Sequence, residues 1–148
     1  MPGRLPSSVL FVCSTNTVRS PMAEAFMRLY HGHRVFVQSA GVRRRDTDPF
    51  VVAAMAEKGI DLSAHKPRTL DDLEDLSFDL AVTLTPEAHH RMLELTRTLA
   101  IEVVYWPTQD PSVVEGSREQ VMAAYRGVRD AIERSVVTRF PRDGAPFV

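Results

Sequence analysis

Residues 9–21 read VLFVCSTNTVRSP, and they predict a strand, a short loop and the start of a helix. Residues 9–12 are continuously apolar and β-favouring, which is typical of a central parallel strand that is covered on both faces. The run ends at Cys13, the only cysteine in the sequence. Ser20 and Pro21 follow the loop as a predicted helix N-cap and a first-turn proline. The loop therefore joins the carboxyl end of a strand to a helix N-terminus.

The rest of the chain alternates strand and helix patterns. Strands are predicted over 9–12, 35–38, 78–84 and 101–106, and helices after 20 and 48, over 69–76 and 86–99, and from 117 to about 138. Ser39, Ala40 and Gly41 are expected to form a turn after the second strand, and Met92 and Leu93 to face inward. Because strands that alternate with helices pair in parallel through right-handed crossovers, we expect a three-layer α/β/α sandwich with a four-stranded parallel sheet.

Length and composition limit the classes of protein to which the chain can belong. The 148 residues, 44% hydrophobic and 25% charged, suit one domain with its core at about 8–138 and a loose tail at 139–148. A net charge of −1 excludes a molecule-wide attraction to nucleic acid or to an anionic membrane. No apolar stretch approaches the roughly 20 residues of a membrane span. With a single cysteine, the protein is expected to be cytoplasmic and to bind neither nucleic acid nor membrane.

The loop from Cys13 to Arg19 has the residue types of an anion site that holds a nucleophile. Ligands of open α/β sheets bind at the carboxyl ends of the strands, and a helix N-terminus offers N–H groups and a positive dipole end to an anion. The same field favours a thiolate over a thiol. The guanidinium of Arg19 can grip two phosphate oxygens, and Asn16 tolerates the positive φ that turns loop N–H groups inward. We therefore expect Cys13 and Arg19 to share one oxyanion.

Other polar clusters give weaker signals. The pairs His31/His33 and His89/His90 have no matching carboxylate or cysteine set, so we expect no metal site and no cofactor. The run Arg43–Arg45 is most simply a solvated loop. A second interpretation places it at the rim of the pocket, where it would steer the substrate.

Several segments resemble the low-molecular-weight protein tyrosine phosphatases. The likeness begins with VLFVC, Asn16 and RSPMAEA at 19–25, and continues through Ser39-Ala40-Gly41, GIDLSAHKPRTL at 59–70, FDLAVTL at 78–84 and Asp110-Pro111. It covers about residues 8–138. The resemblance implies a phosphatase-I-like sandwich and hydrolysis of phosphomonoesters, with protein phosphotyrosine as the expected substrate, through a phosphocysteine and without a metal.

The resemblance also implies a role for each site residue. Cys13 attacks phosphorus, Arg19 binds the phosphate, and Asp110 acts as general acid and then as general base, although an aspartate before proline can also be a simple turn former. Ser39 and His65 support the loop from behind. The phosphate-binding loop comprises Ser14, Thr15, Asn16, Thr17, Val18, Arg19 and Ser20, of which Ser20 also donates to the thiolate. The implied partner is a phosphorylated protein or a small phosphomonoester, and phosphate or other oxyanions can occupy the loop.

Four features depart from the usual family pattern. Thr15 stands where glycine is usual, and Val18 where a second cysteine is usual. Ser112 and Val113, rather than aromatic residues, follow Asp110-Pro111, and the segment over 42–47 is basic rather than aromatic. The sequence therefore does not predict the aromatic walls that would recognise a phenyl ring by stacking and burial.

These departures leave other functions open. Thr17 is the residue that the bacterial protein-arginine phosphatases of this family carry at this position. Thr15 and the missing walls are compatible with an anion-binding module of impaired activity. Thiol-dependent arsenate reductases share the fold, but they need extra cysteines for an internal redox relay, which a single cysteine does not supply.

Overall fold

The computed structural model describes residues 5–141, which form a four-stranded parallel sheet with helices on both faces. The sheet order is β2-β1-β3-β4, and all neighbouring strands pair in parallel. This confirms the predicted α/β/α sandwich. The strands are β1 (Ser8–Cys13), β2 (Phe36–Gly41), β3 (Leu80–Thr83) and β4 (Glu102–Tyr105), and the α-helices are α1 (Arg19–His31), α2 (Pro49–Ala56), α3 (Pro86–Leu95) and α4 (Arg118–Arg139).

Strand β1 lies at the centre of the sheet and is buried on both faces. Val9 and Phe11 belong to the larger core cluster, which α1, α2 and α4 cover. Leu10 and Val12 point to the opposite face and pack with Met92 of α3. Because successive strand residues face opposite sides, a continuous apolar run is what a doubly covered strand requires. The strand delivers Cys13 to the carboxyl edge of the sheet.

The start of α1 differs from the prediction that Ser20 is its N-cap. The helix begins at Arg19, and Val18 occupies the N-cap position without a side-chain cap. Ser20 lies in the first turn, fully buried, with its hydroxyl 2.9 Å from the sulfur of Cys13. The second predicted cap is confirmed, since the Asp48 side chain accepts from the Phe50 N–H at the start of α2. Ser20, although typical of an N-cap, thus contacts Cys13 instead of capping α1.

Three other predictions need correction. Ser39, Ala40 and Gly41 belong to β2 rather than to a turn, because they pair with the last three residues of β1. The predicted helix over 69–76 is only a 3₁₀ turn, Leu70–Asp72, which begins with a capping box at Thr69. Leu93 is 48% exposed while Met92 is buried. Adjacent helical residues differ by about 100° in direction, so the two cannot share one inward face.

The end of α4 corrects the predicted tail. The helix continues to Arg139, and Phe140 is fully buried with its ring centroid 6.2 Å from that of Trp106. His31 Nε2 donates to the Phe140 carbonyl at 2.9 Å. Residues 139 and 140 are therefore packed rather than loose, whereas residues 142–148 lie outside the described residues. Within 5–141, no helix combines the length and apolarity that crossing a membrane requires.

Candidate active site

Cys13 lies at the carboxyl end of β1, beneath the loop over 14–18, and the residue is 2% exposed. Ser20 Oγ is 2.9 Å from the sulfur. The backbone N–H groups of Asn16 and Ser20 donate to the same sulfur at 3.3 Å and 3.4 Å. A thiolate is a stronger acceptor than a thiol, so these donors are placed to serve an ionised sulfur.

Asn16 fixes the shape of the loop. Its φ is 58°, and it is the only non-glycine residue of the described chain with a positive φ. The buried amide donates to Ser20 Oγ at 2.8 Å and to Ser39 Oγ at 2.9 Å, and its oxygen accepts from the Arg68 N–H at 3.0 Å. The Asn16 carbonyl accepts from His65 Nε2 at 3.0 Å. A left-handed residue persists where its surroundings hold it in this way.

Glu24 extends this network, and the sequence reasoning missed it as a site residue. Its buried carboxylate accepts a hydrogen bond from the Ser39 hydroxyl and pairs with Arg28 at 2.6 Å. Glu24 follows Ser20 by four residues, so both lie on one face of α1. A charged residue on the inward face of a helix was the available signal, because such residues are buried only with partners.

Arg68 is a second contributor that the sequence did not reveal. Besides its N–H bond to Asn16, its Nε donates to the Ser39 carbonyl at 3.1 Å. Its own carbonyl accepts from the Gly41 N–H at 2.8 Å. Two of these three contacts are made by backbone atoms, which carry no residue-type signal in a sequence.

The loop presents further groups towards its open side. Within residues 5–141, no acceptor is hydrogen-bonded to the backbone N–H of Thr15, Thr17, Val18 or Arg19. The hydroxyls of Thr15 and Thr17 lie 2.8 Å apart, and Ser14 Oγ donates to Thr85 Oγ1 at 3.2 Å. Successive free N–H groups at a helix N-terminus form a site that suits an oxyanion.

Arg19 connects this loop to the Asp110 loop. Its Nη1 donates to the Thr108 carbonyl at 2.9 Å, and its Nη2 lies 3.8 Å from Asp110 Oδ2. Its Nε is buried and has no hydrogen-bond partner within residues 5–141. A buried donor without an acceptor is costly unless a ligand satisfies it. The guanidinium therefore has donor capacity left for an anion.

Asp110 caps the short 3₁₀ turn Pro111–Val113. Its Oδ1 accepts from the Ser112 hydroxyl at 2.6 Å and from the Ser112 N–H at 2.9 Å. Burial acts to raise the pKa of Asp110, but the two Ser112 hydrogen bonds and the charges of Arg19 and Arg45 outweigh it, so that the pKa lies below its ordinary value of 3.8. The carboxyl is thus both a turn former and an ionised neighbour of Arg19.

The structure brings every predicted site residue into one connected region, with Ser39 and His65 behind the loop and Asp110 in front of it. The family described as low molecular weight phosphotyrosine protein phosphatase matches residues 8–140. The chain belongs to this family. It is accordingly an enzyme with the cysteine-dependent phosphatase fold. Arsenate reductases of the same family also use the catalytic cysteine.

Individual relatives carry several functional names. An arsenate reductase of Halalkalibacterium halodurans is 35% identical over 130 residues, which cover 88% of this chain and 92% of the relative. Other curated relatives with 30–34% identity are named arsenate reductase or arsenate reductase 1. A solved arsenate reductase in its phosphate-binding state has a TM-score of 0.68 at 26% identity, covering 88% of this chain and 93% of that one.

The Bacillus subtilis protein YwlE is a further structural neighbour. A mutant of it has a TM-score of 0.71 at 28% identity, over 89% of this chain and 94% of that one. Another structure, described as the YwlE arginine phosphatase with a phosphorylated active-site serine, has a TM-score of 0.67 at 24% identity, over 89% and 91% of the two chains. At that identity, the second comparison supports the fold alone.

Proposed function

We propose that this protein hydrolyses phosphomonoesters, with phosphotyrosine in proteins as its substrate, through a phosphocysteine on Cys13. The observation that carries the proposal is the convergence of two N–H donors and the Ser20 hydroxyl on the sulfur, beneath a loop in which the N–H groups of Thr15, Thr17 and Val18 have no acceptor among residues 5–141. Arg19, whose buried Nε has no hydrogen-bond partner within the described part of the chain, ends this loop, and its Nη2 lies 3.8 Å from Asp110. Catalysis of phosphoryl transfer consists mostly of such positioning and charge stabilisation.

The reaction would proceed in two displacements. In the first, Cys13 Sγ attacks phosphorus while the loop N–H groups and Arg19 hold the non-bridging oxygens. An S–P bond forms, the bond from phosphorus to the leaving oxygen breaks, and Asp110 gives its proton to that oxygen. In the second, the Asp110 carboxylate takes a proton from water, the water oxygen attacks phosphorus, and the thiolate leaves with Ser20 as its hydrogen-bond donor.

The protonation of Asp110 has to change when the substrate binds. In the ligand-free protein, hydrogen bonds from Ser112 and the charge of Arg19 keep its pKa below the ordinary value. A phosphate dianion in the loop would pair with Arg19, so that Arg19 would stabilise the Asp110 carboxylate less. The dianion would also repel that carboxylate, and both effects favour the protonated form of Asp110. We therefore propose that Asp110 takes up its proton with the substrate, and that turnover is fastest at mildly acidic pH.

A protein-arginine phosphatase is the second candidate, because Thr17 is the residue type that the arginine phosphatases of this family carry at this position. Its side chain is buried in the loop, with its hydroxyl 2.8 Å from that of Thr15. The likeness to YwlE supports the same candidate. The leaving group of phosphoarginine is a guanidine that can carry positive charge, and an ionised Asp110 next to the loop would attract it.

Two further candidates come from the relatives and from the loop itself. The names of the curated relatives favour arsenate reduction. An internal disulfide relay would need a second thiol, however, and these 148 residues contain one cysteine. An anion-binding module without turnover is the last candidate, in which Thr15 would narrow the approach to the sulfur.

One set of assays separates these candidates. Reduced protein is offered an aryl phosphate, a phosphotyrosine peptide, a phosphoarginine peptide and arsenate with an external thiol. We expect turnover of the first two, its complete loss in Cys13→Ser, and a phosphate adduct on the Cys13 peptide after rapid acid quenching. Asp110→Asn should lower kcat by about 10²–10⁴ on the phosphotyrosine peptide and less on an aryl phosphate with a good leaving group.

The other outcomes reject the main proposal. A higher kcat/KM for phosphoarginine than for phosphotyrosine would favour the second candidate, and Cys13-dependent reduction of arsenate would favour the third. Phosphate binding without Cys13-dependent turnover of any of these substrates would leave only the binding module.

A further inference from the structure

The three consecutive arginines after β2 differ in what they contact. Arg43 forms a bidentate pair with Glu87, from Nε at 2.9 Å and from Nη2 at 3.0 Å. Arg44 Nη2 lies 2.6 Å from an oxygen of Asp72. Arg45 is exposed and forms no hydrogen bond or ion pair with any of the residues 5–141. Two of the three charges are thus neutralised locally, and one is not.

The connection that carries Arg45 is anchored at both ends, and its first anchor is the nucleophile loop. At its start, the N–H groups of Val42 and Arg43 both donate to the Ser14 carbonyl at 2.9 Å, next to the nucleophile. At its end, the Asp48 carboxylate accepts from the Tyr125 hydroxyl of α4 at 2.7 Å. Arg45 lies between these two anchors, on the exposed rim.

The electrostatics agree with this placement. Burial raises the pKa of Asp110, the Ser112 hydrogen bonds lower it, and the positive charges of Arg19 and Arg45 lower it further. The charge of Arg45 acts on the Tyr125 hydroxyl as well. The charge of Arg45 therefore reaches Asp110, although the two side chains are not paired with each other among the described residues. Residues beyond Asp110 on this rim supply no aromatic wall, since Ser112 and Val113 stand there.

We propose that Arg45 binds a second anionic group of the substrate, and that the preferred substrates are phosphomonoesters with another anion close by, as in phosphotyrosine flanked by Asp or Glu. This inference deepens the proposed function and rests on it. Arg19 binds the transferred phosphate, so an anion at Arg45 would be one that does not react. Such a contact is the same in ground state and transition state, and its loss raises KM while kcat stays constant.

The expected effect is modest because Arg45 is exposed. Exposed ion pairs are worth little, which corresponds to a change in KM of about two- to five-fold. They are also screened, because the Debye length falls from about 8 Å at physiological ionic strength to about 3 Å at 1 M salt. A contact through Arg45 should therefore disappear at high salt, whereas a packing contact would persist.

The test compares two phosphotyrosine peptides that differ only in Asp and Glu against Asn and Gln at the flanking positions. The wild type should prefer the acidic peptide, and Arg45→Gln should lose about two- to five-fold of that preference through KM. Arg44→Gln is the matched control, because the neighbouring arginine is already paired with Asp72. High salt should abolish the preference of the wild type and leave Arg45→Gln unchanged.

The inference is overturned if the wild type and Arg45→Gln prefer the acidic peptide equally. It is also overturned if Arg45→Gln and Arg44→Gln lose that preference to the same extent. If no ester is turned over, the hydrolysis proposal fails, and binding of both peptides to Cys13→Ser with and without Arg45→Gln still tests Arg45. An aryl phosphate with and without a ring carboxylate, compared in the same way, shows whether small phosphomonoesters gain from the same contact.

Discussion

The two sides of the nucleophile loop are built differently. On the inner side, Asn16, Ser39 and Glu24 are at most 5% exposed and their side chains are hydrogen-bonded or paired to one another and to Ser20 and Arg28. On the rim, the Asp110 side chain is 34% exposed, Val113 is 72% exposed and Arg45 is unpaired among the described residues. The contrast indicates that the core determines the shape of the anion site and that two connecting loops determine what enters it.

The inner side should therefore couple activity to stability, and Asn16→Ala is the strongest test. The substitution removes three side-chain hydrogen bonds. It leaves an alanine at φ 58°, where no side-chain hydrogen bond offsets the backbone strain. We expect the free energy of unfolding to fall by about 2–4 kcal/mol, measured by urea denaturation, together with a loss of most turnover.

Asn16→Gly is the matched control for that test. Glycine adopts a positive φ without strain but makes no side-chain hydrogen bonds, so it separates the two causes. It should recover part of the stability and little of the activity. If Asn16→Ala were as stable as the wild type and merely less active, the inner side would not be the structural support described above.

A close backbone approach gives the second test. A Cβ on Gly41 would lie 2.7 Å from the Asn16 nitrogen and 2.7 Å from the Thr15 carbonyl carbon, so the loop would have to move. We expect Gly41→Ala to cost about 1–3 kcal/mol of stability and to weaken phosphate binding in a calorimetric titration.

Gly127→Ala is the internal control, because a Cβ at that position of α4 would have no atom of the described residues within 4 Å apart from its chain neighbours and the backbone of its own helix. Alanine in a helix is favoured over glycine by about 0.5–1 kcal/mol, so this variant should be more stable and bind phosphate normally. If both glycine variants changed stability in the same direction, the close contact at Gly41 would not be the reason.

The sequence predicted the parts of the site that depend on local pattern. The apolar run of β1 and the residue types at Cys13, Asn16 and Arg19 are all contained in one short segment. Ser20 shows the limit of that reasoning, since serine before proline favours a cap and the structure instead places its hydroxyl at the sulfur. A tertiary contact with Cys13 outweighed the local preference.

Contacts between distant segments were predicted only where the family resemblance implied them, as for Ser39, His65 and Asp110. Arg68 lies 52 residues from Asn16 and binds it through a backbone N–H, and Glu87 lies 44 residues from Arg43. Three adjacent arginines are equivalent in a sequence, and only the positions of Glu87 and Asp72 distinguish Arg45 from its neighbours. The partners of exposed charges depend on the tertiary fold, so the rim was harder to predict than the loop.

The mildest test returns to the rim, where activity should change without stability. Ser112→Ala removes the hydroxyl that donates to Asp110 at 2.6 Å and stabilises the ionised carboxyl. Because burial already acts to raise the pKa of Asp110, losing this donor should move the pKa upward. The protonated acid then persists to higher pH, so the basic limb of the pH profile of kcat for a phosphotyrosine peptide should shift upward.

An equivalent pair elsewhere provides the control for Ser112→Ala. Ser63 donates to Asp61 through its hydroxyl at 2.6 Å and its N–H at 2.8 Å, and these bonds lower the pKa of Asp61 in the same way. Asp61 is exposed and, among the residues that the structure describes, is hydrogen-bonded only to Ser63, so Ser63→Ala should leave the pH profile unchanged. A downward shift in Ser112→Ala, or equal shifts in both variants, would mean that a group other than Asp110 governs that limb. An upward shift confined to Ser112→Ala would instead locate the acid on the rim, where a bound substrate can alter its protonation without disturbing the buried support of the loop.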